Sequence, residues 1–220
     1  MKTKPMSPME IYDILRNKFP DAECELNFNS NFELLVAVIL SAQCTDKRVN
    51  EVTSEIFKKY NTPQDFASMP LEKLEKMIYS CGFYHNKAKN IISASQQIIS
   101  DFGGEVPSSV EELQKLKGVG KKTANVVYST AFGGDAVAVD THVFRTSNRL
   151  GLSNSKNVKK CEQDLMEKFP QNKWSSMHLL LVFFGRYQCK AIHPLCENCE
   201  FKGFCKYYNK KSKQTKITNY

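Results

Sequence analysis

The sequence predicts an all-α protein built from two groups of helices. In most segments of the 220-residue chain, apolar residues recur every three or four positions, and no segment alternates apolar and polar residues as a strand would. A capping residue (Ser, Thr, Asp or Asn) precedes many of these segments and glycine follows many of them, as is typical of helix ends. Gly133-Gly134 is the most natural hinge between the two groups.

The first half of the chain contains most of the predicted helices. The segment Phe32–Leu40 is apolar almost all round, which predicts a fully buried helix. Ser108 and Glu111 have the spacing of a capping box for a short helix. The other predicted helices of this half cover 9–19, a segment that begins at Thr45 or Asp46, two short segments opened by Pro63 and Pro70, and 86–102.

The second half continues the helical pattern after a glycine turn. A helix is predicted from that turn to about Phe132. Asp140 stands where an N-cap is expected, and Gly151 ends the helix that follows it. Two further helices are predicted over 157–169 and from 174 to about 187.

The composition is that of a globular, basic protein. Lys and Arg number 31 against 23 Asp and Glu, which gives a net charge of +8. Such a surplus serves either solubility or binding to a polyanion such as nucleic acid. The polar start Met1–Pro8 resembles no secretory signal, and no apolar run is long enough to span a membrane. These features predict a soluble cytoplasmic protein.

Four of the eight cysteines are crowded near the C-terminus. Their spacing is Cys189-x6-Cys196-x2-Cys199-x5-Cys205, which places four soft ligands within seventeen residues. Disulfides are the plain alternative, but an intracellular chain with one tight cysteine cluster favours a metal site. The spacing alone leaves a zinc ion and an iron–sulfur cluster equally open.

The segment Leu116–Gly120 reads Leu-Lys-Gly-Val-Gly between two predicted helices. We expect both of its glycines, Gly118 and Gly120, to adopt backbone angles that other residues avoid. The amides of such a turn, followed at once by a helix start, suit a phosphate group, and Lys117 and Lys121 would add charge. An ordinary interhelical turn is the alternative. The basic helix start favours a helix-hairpin-helix that binds the DNA backbone.

Lys122 and Asp140 are the candidate catalytic residues. Most lysines are only surface charges, but partial desolvation at a helix start beside like charges would lower the pKa of Lys122 and make its amine nucleophilic. Asp140, as an N-cap, would be held rigidly and would stay ionised, which suits it to stabilise a developing cation. Its plain role is the cap alone.

Five separated motifs of the chain resemble the endonuclease III family of DNA glycosylases, which belongs to the helix-hairpin-helix superfamily. The resemblance runs from about Ile11 to Cys205. Its segments are Leu34–Asp46 (LLVAVILSAQCTD), Cys81–Asn90, Leu116–Phe132 (LKGVGKKTANVVYSTAF), Val139–Asn148 (VDTHVFRTSN) and the four cysteines.

The resemblance implies a fold and a set of functional residues. It implies a six-helix barrel domain with the helix-hairpin-helix over 24–134, and a second helical domain with the cluster loop over 1–23 and 135–220, with the active site in the groove between them. Lys122 resembles the nucleophilic lysine of the family and Asp140 its essential aspartate, so the two are expected to face one another over that groove. The four cysteines match the ligands of a [4Fe-4S] cluster.

The resemblance also implies the DNA contacts. Gln43 matches the glutamine that fills the gap left by a flipped nucleotide. The remaining expected contacts are Lys117, Gly118, Val119, Gly120, Lys121, Thr141 and His142. Hairpins of this family usually carry proline before the first glycine, where this chain has Lys117, so the rigidity of the turn is in question.

The implied activity is base excision with AP lyase action on oxidised pyrimidines in duplex DNA, by a monomeric, nucleoid-associated enzyme. Related glycosylases that act on mismatched thymine or uracil, or on pyrimidine dimers, are the nearest alternatives. A branch that removes adenine from mispairs fits less well because it lacks the lysine. A non-catalytic DNA-binding module is a further alternative, against which the presence of both Lys122 and Asp140 weighs.

Overall fold

The structure is a computed structural model that describes residues 6–210. The first residues of the N-terminal segment and the lysines of the C-terminal tail beyond position 210 lie outside this range. No residue of the described range forms a strand, so the all-α prediction is confirmed. Within the same residues, no helix is both long enough and apolar enough to cross a membrane.

The chain divides into two compact units. One unit comprises Cys24–Ala136, and the other is formed by the described residues that precede Cys24 and follow Ala136. The predicted functional domains, 24–134 and 1–23 with 135–220, stay a prediction. The α-helices are α1 (Pro8–Lys18), α2 (Asn31–Ser41), α3 (Asp46–Ile56), α4 (Pro63–Ala67), α5 (Leu71–Ile78), α6 (Tyr84–Phe102), α7 (Val110–Leu113), α8 (Lys121–Phe132), α9 (Thr141–Leu150), α10 (Val158–Lys168) and α11 (Trp174–Phe183).

Helix α2 forms the centre of the unit Cys24–Ala136. Every residue from Phe32 to Leu40 is buried, as the all-round apolar pattern predicts. Helices α3, α6 and α8 pack against it. Glu33 is the one charged residue of this buried stretch, and its carboxylate accepts the Asn29 amide at 2.6 Å. The helix that ends in the Gln43 turn is therefore anchored along its whole length.

Helix starts follow the capping residues of the sequence, with one shift in register. The side chains of Ser7, Thr62 and Asp140 each accept an amide hydrogen bond at the start of a helix. The capping box predicted for Ser108 and Glu111 is wrong, because Ser109 caps α7 by accepting the Glu112 amide at 3.2 Å. The doublets Ser108-Ser109 and Glu111-Glu112 fit both registers, so only the packing of the short helix decides between them.

The second unit packs α1, α9, α10 and α11 around its own apolar core. Helix α11 continues into a π-helical segment, Phe184–Gln188, that leads to Cys189, the first of the four C-terminal cysteines. Gly185 lies against α9 so closely that an added Cβ would stand 2.8 Å from the Cβ of His142. The absence of a side chain at Gly185 is therefore what allows α9 and the π-helical segment to meet.

Candidate functional site

The turn between α7 and α8 has the geometry of a glycine hairpin, but its two glycines are not equivalent. Gly118 has φ +79°, and an added Cβ would stand 2.7 Å from the Cβ of Asn90. Gly120 has φ −83° and ψ 172°, an ordinary extended conformation, with open space around it. The expectation that both glycines need unusual angles is wrong for Gly120. Only Gly118 is required by backbone and by packing.

The side chain of Gln97, in α6, makes two hydrogen bonds to the backbone of this turn. Its Oε1 accepts the amide of Lys117 at 2.8 Å, and its Nε2 donates to the carbonyl of Lys115 at 3.3 Å. Lys117, Gly118 and Gly120 are exposed, whereas the side chain of Val119 is buried. Val119 therefore cannot offer its side chain to a ligand, and its amide already donates to the carbonyl of Leu116 at 3.1 Å.

Lys121 and Lys122 are the first two residues of α8, and both are exposed. The predicted desolvation of Lys122 is therefore wrong in the free protein, since the packing of the chain leaves this lysine in contact with solvent. The N-cap of α8 is Gly120, which has no side chain to accept the first amides of the helix. Those amides and the two ammonium groups give this helix start a concentrated positive potential.

Asp140 is the N-cap of α9, as predicted from the sequence. Its Oδ1 accepts the amide of Val143 at 2.8 Å, and the residue is half-buried. Lys122 belongs to the unit Cys24–Ala136 and Asp140 to the other unit. A capping carboxylate has a fixed orientation and keeps a second oxygen for other partners.

The first residues of α9 differ in exposure. Thr141 is exposed, while His142 is half-buried with its Nδ1 3.2 Å from Nη2 of Arg145. Burial lowers the pKa of His142; the Asp140 carboxylate opposes this effect, and the guanidinium groups of Arg145 and Arg186 reinforce it. The imidazole is therefore biased towards its neutral form.

Gln43 lies in an exposed turn directly after α2. It has φ +53°, a left-handed conformation that glutamine rarely adopts. The turn is followed at once by α3, whose start is capped by the side chain of Thr45. A residue held in such a conformation at the surface indicates a constraint imposed by its neighbours.

The four C-terminal cysteines line one cavity in the second unit. Apolar residues, among them Leu150, Phe184 and Phe201, form much of the remaining wall. Across residues 6–210, no three His, Cys, Asp or Glu side chains are grouped closely enough to hold a metal ion. The donor set nevertheless fits a thiolate-bound group, because four soft ligands line one largely apolar space and no Asp or Glu is among the residues that line it. These residues are Cys189, Cys196, Cys199 and Cys205.

Two arginines of α9 that the sequence did not single out hold the start of the cysteine loop. Arg145 donates through Nε to the carbonyl of Cys189 at 3.0 Å. Arg149 donates to Sγ of Cys189 at 3.3 Å and to the carbonyl of Lys190 at 2.9 Å. Their i, i+4 spacing predicts that they share one face of α9, but nothing local indicates that the face meets a loop forty residues away.

Comparison with known proteins identifies the family. The model of the HhH-GPD superfamily of base excision DNA repair proteins matches residues 36–171. The chain is 53% identical to endonuclease III of Bacillus subtilis over 203 residues, which cover 92% of this chain and 93% of that protein. It is 42% identical to endonuclease III of Escherichia coli K12 over 202 residues, or 92% of this chain and 96% of that protein.

Solved structures agree with the sequence relatives. A trapped covalent intermediate of endonuclease III and DNA matches with a TM-score of 0.89 at 48% identity, covering 94% of this chain and 99% of that chain. A non-covalent complex of endonuclease III with DNA matches with a TM-score of 0.90 at the same identity and the same coverage. The helical architecture, the glycine hairpin and these similarities lead to one conclusion: the chain belongs to the endonuclease III family of base excision DNA repair enzymes, within the HhH-GPD superfamily.

Proposed function

We propose that this enzyme removes oxidised pyrimidines from duplex DNA and then cleaves the strand as an AP lyase. The observation that carries the proposal is the pair of residues Lys122, at an uncapped helix start beside the hairpin, and Asp140, a carboxylate fixed by its capping hydrogen bond. A damaged base stacks and pairs poorly, so extruding it costs less than extruding a normal base. The preference for damaged over normal bases would then arise partly from this lower cost of extrusion.

The hairpin supports binding to the sugar–phosphate backbone. The first amides of α8, which no side chain caps, and the exposed side chains of Lys117 and Lys121 form a positive surface next to Gly118 and Gly120. Such contacts position a protein on DNA without reading sequence, which suits an enzyme that must search for damage at any site. Thr141 and His142, at the start of α9, are the proposed contacts from the other unit.

The proposed chemistry uses the amine of Lys122 as the nucleophile. Its nitrogen bonds to C1′ of the deoxyribose as the glycosidic bond breaks, and the base leaves with the bonding electron pair. Opening of the sugar ring gives an iminium ion between Lys122 and C1′. Loss of a C2′ proton then expels the phosphate on the 3′ side, and hydrolysis of the imine frees the lysine. The carboxylate of Asp140 would stabilise the developing sugar cation and assist the loss of protons from the amine.

The cysteine cavity is proposed to hold a [4Fe-4S] cluster through Cys189, Cys196, Cys199 and Cys205. Four thiolates leave no iron position open for a substrate, so the cluster would order the surrounding basic loop and take no part in bond cleavage. The donation of Arg149 to Sγ of Cys189 suits this role, since charge-assisted hydrogen bonds stabilise a thiolate sulfur.

Borohydride trapping tests the assignment of the nucleophile. With a duplex that contains thymine glycol, the wild-type enzyme should form a reduced covalent adduct with DNA, and Lys122→Gln should form none. Lys121→Gln is the matched control, because it removes the neighbouring charge and should weaken binding while the adduct still forms. Equal trapping by Lys122→Gln and wild type would sink the assignment.

A nicking assay tests the substrate class. Duplexes with thymine glycol, an abasic site, uracil and an adenine mispair should be cleaved in the first two cases only. Preferential cleavage at uracil or at the mispair would move the enzyme to one of the neighbouring glycosylase branches.

A further inference from the structure

Lys87, in the first turn of α6, is a buried lysine. Only 5% of its surface is exposed, although nearly every other lysine of the described chain is at the surface. Its ammonium group donates to the carbonyl of Leu40 at 2.8 Å and to the carbonyl of Cys81 at 2.6 Å. One side chain therefore ties together two segments that lie about forty residues apart in sequence.

The environment of this ammonium group is unfavourable for a charge. Both acceptors are neutral carbonyls, and burial lowers the pKa of Lys87. The neighbouring thiol of Cys81 supplies no compensating charge at neutral pH, because burial raises its pKa to about 11. Burying a charged group costs several kcal/mol unless its hydrogen bonds are well made. The two carbonyl contacts are accordingly the interactions that keep this residue in place.

The two carbonyls belong to the segments that lead into two strained turns. Leu40 is in the last turn of α2, three residues before Gln43, whose φ is +53°. Cys81 ends a 3-10 turn and is followed by Gly82 at φ +63° and Phe83 at φ +48°. A bulky residue with positive φ persists only where its surroundings hold it.

The two turns also lie close to each other. A Cβ placed on Gly82 would be 4.0 Å from the carbonyl oxygen of Gln43. The ammonium group of Lys87 thus bonds to the backbone just before each of two neighbouring turns. Removal of the ammonium group would free both carbonyls and allow the turns to relax.

We propose that Lys87 is a positioning residue that holds Gln43 in the conformation needed for base extrusion. This proposal rests on the proposed function and on the role that the family resemblance implies for Gln43, which is to occupy the space that the extruded nucleotide leaves. Lys87 itself is buried and acts only through the backbone of the Gln43 turn. Its loss should therefore affect duplex substrates, where a gap must be filled, and spare single-stranded ones, where there is no stack to fill.

The test compares Lys87→Met, which keeps the length and volume of the apolar stem but removes the donors, with Lys87→Arg, which keeps donors. In single-turnover assays on a thymine glycol duplex, Lys87→Met should lower base release roughly 10-fold to 100-fold, as expected when a contact group is displaced by about 1 Å. Lys87→Arg should recover part of this loss. Cleavage of a single-stranded oligonucleotide with a preformed abasic site should stay at the wild-type rate, which also shows that the variant is folded.

Lys59→Met is the matched control, because it removes an exposed lysine from the same unit. It should leave base release unchanged. If Lys87→Met does not fold, Lys87→Gln takes its place, since its amide keeps two donors on a shorter stem and should give a smaller loss.

A double-mutant cycle decides whether Lys87 acts through Gln43. Gln43→Ala combined with Lys87→Met should be no slower on the duplex than Gln43→Ala alone, because the positioned group is already absent. Losses that simply multiply would overturn the proposal, as would a parallel fall of the single-strand reaction.

A fluorescence measurement separates this proposal from the proposed function. The probe is a duplex with 2-aminopurine opposite a stable abasic analogue, which needs no catalysis. Wild type should change the 2-aminopurine signal on binding, and Lys87→Met should lose most of that change. An enzyme that excises no oxidised pyrimidine but shows this dependence on Lys87 would refute the proposed substrate and keep the positioning role. A signal identical in both proteins would overturn the positioning role.

Discussion

At the scale of single residues, Asp140 combines a structural role with a proposed chemical one. Its Oδ1 caps α9 through the Val143 amide. Asparagine caps a helix about as well as aspartate does, but it carries no charge to stabilise a sugar cation. The two roles can therefore be separated by a single pair of substitutions.

Asp140→Asn should keep the stability of the protein and lose its activity. We expect the free energy of unfolding to change by less than about 0.5 kcal/mol, whereas Asp140→Ala should lose about 1 kcal/mol with the cap. Base release by Asp140→Asn should fall roughly 100-fold or more. Urea unfolding and single-turnover assays measure the two effects. If Asp140→Asn released bases at the wild-type rate, Asp140 would have only its capping role and no role in catalysis.

The titration of His142 gives a pH dependence of stability. Because burial lowers the pKa of His142 in the folded state, the unfolded chain binds a proton first as the pH falls. The histidine therefore costs no stability above its unfolded pKa of about 6.5, and the protein loses stability as the pH falls below that value.

His142→Asn should reduce this loss. Between pH 7.5 and 5.5 the urea midpoint of wild type should fall more than that of the variant, and the exposed His193→Asn should behave as wild type does. A variant whose midpoint falls as steeply as that of wild type would show that His142 is not the group responsible.

Lys117 occupies the hairpin position at which this family usually has proline. Its amide donates to Oε1 of Gln97 at 2.8 Å, a bond that the usual proline of this family could not make. Gln97 also donates to the carbonyl of Lys115. The rigidity that proline would supply through its ring is here supplied by a side chain of α6.

At the scale of secondary-structure elements, the hairpin depends on one close approach between α6 and the turn. Gly118→Ala would place a methyl carbon 2.7 Å from the Cβ of Asn90, which is too close for two carbon atoms. It would also hold alanine at positive φ. We expect a loss of stability of about 1–3 kcal/mol and weaker DNA binding. Gly120→Ala is the control, since Gly120 has open space and negative φ, and it should cost less than about 1 kcal/mol.

Urea unfolding and binding to an abasic-analogue duplex measure both variants. Equal losses for Gly118→Ala and Gly120→Ala would contradict the distinction that the structure draws between the two glycines.

At the scale of the whole molecule, the two units differ in how they are stabilised. The unit Cys24–Ala136 is built around α2, a helix buried on all sides. The other unit combines a smaller helical core with the cysteine-lined cavity, whose walls are held by Arg145 and Arg149 of α9. A bound cluster would add cross-links where the helical packing ends.

We expect the purified enzyme to show broad visible absorbance and to contain iron and inorganic sulfide, and Cys199→Ser should remove all three. It should also lower the thermal stability, because four ligands hold the loop and serine binds iron poorly. Cys24→Ser, in the other unit, is the control and should keep the absorbance. Stoichiometric zinc in the wild-type protein, without sulfide, would contradict the proposed cluster. The four cysteines would then form a zinc site, which their spacing also allows.

Local patterns in the sequence determined the fold class of this protein and several of its individual elements. The all-α class, the buried character of α2, the cap at Asp140 and the glycine hairpin all depend on residues within one or two helical turns of each other, so they can be predicted from spacing. The shift from Ser108 to Ser109 at α7 marks the limit of that logic, because two registers satisfied the same local rule.

Tertiary structure decided the features that depend on distant partners. The burial of Lys87 depends on the carbonyl of Leu40, forty-seven residues away, and the close packing that adds to the need for glycine at 118 comes from Asn90. The hydrogen bonds of Gln97 to the hairpin and of Arg149 to Cys189 likewise join segments with no local relation. Since burial and close approach are set by packing between elements, no spacing rule within one element could reveal them.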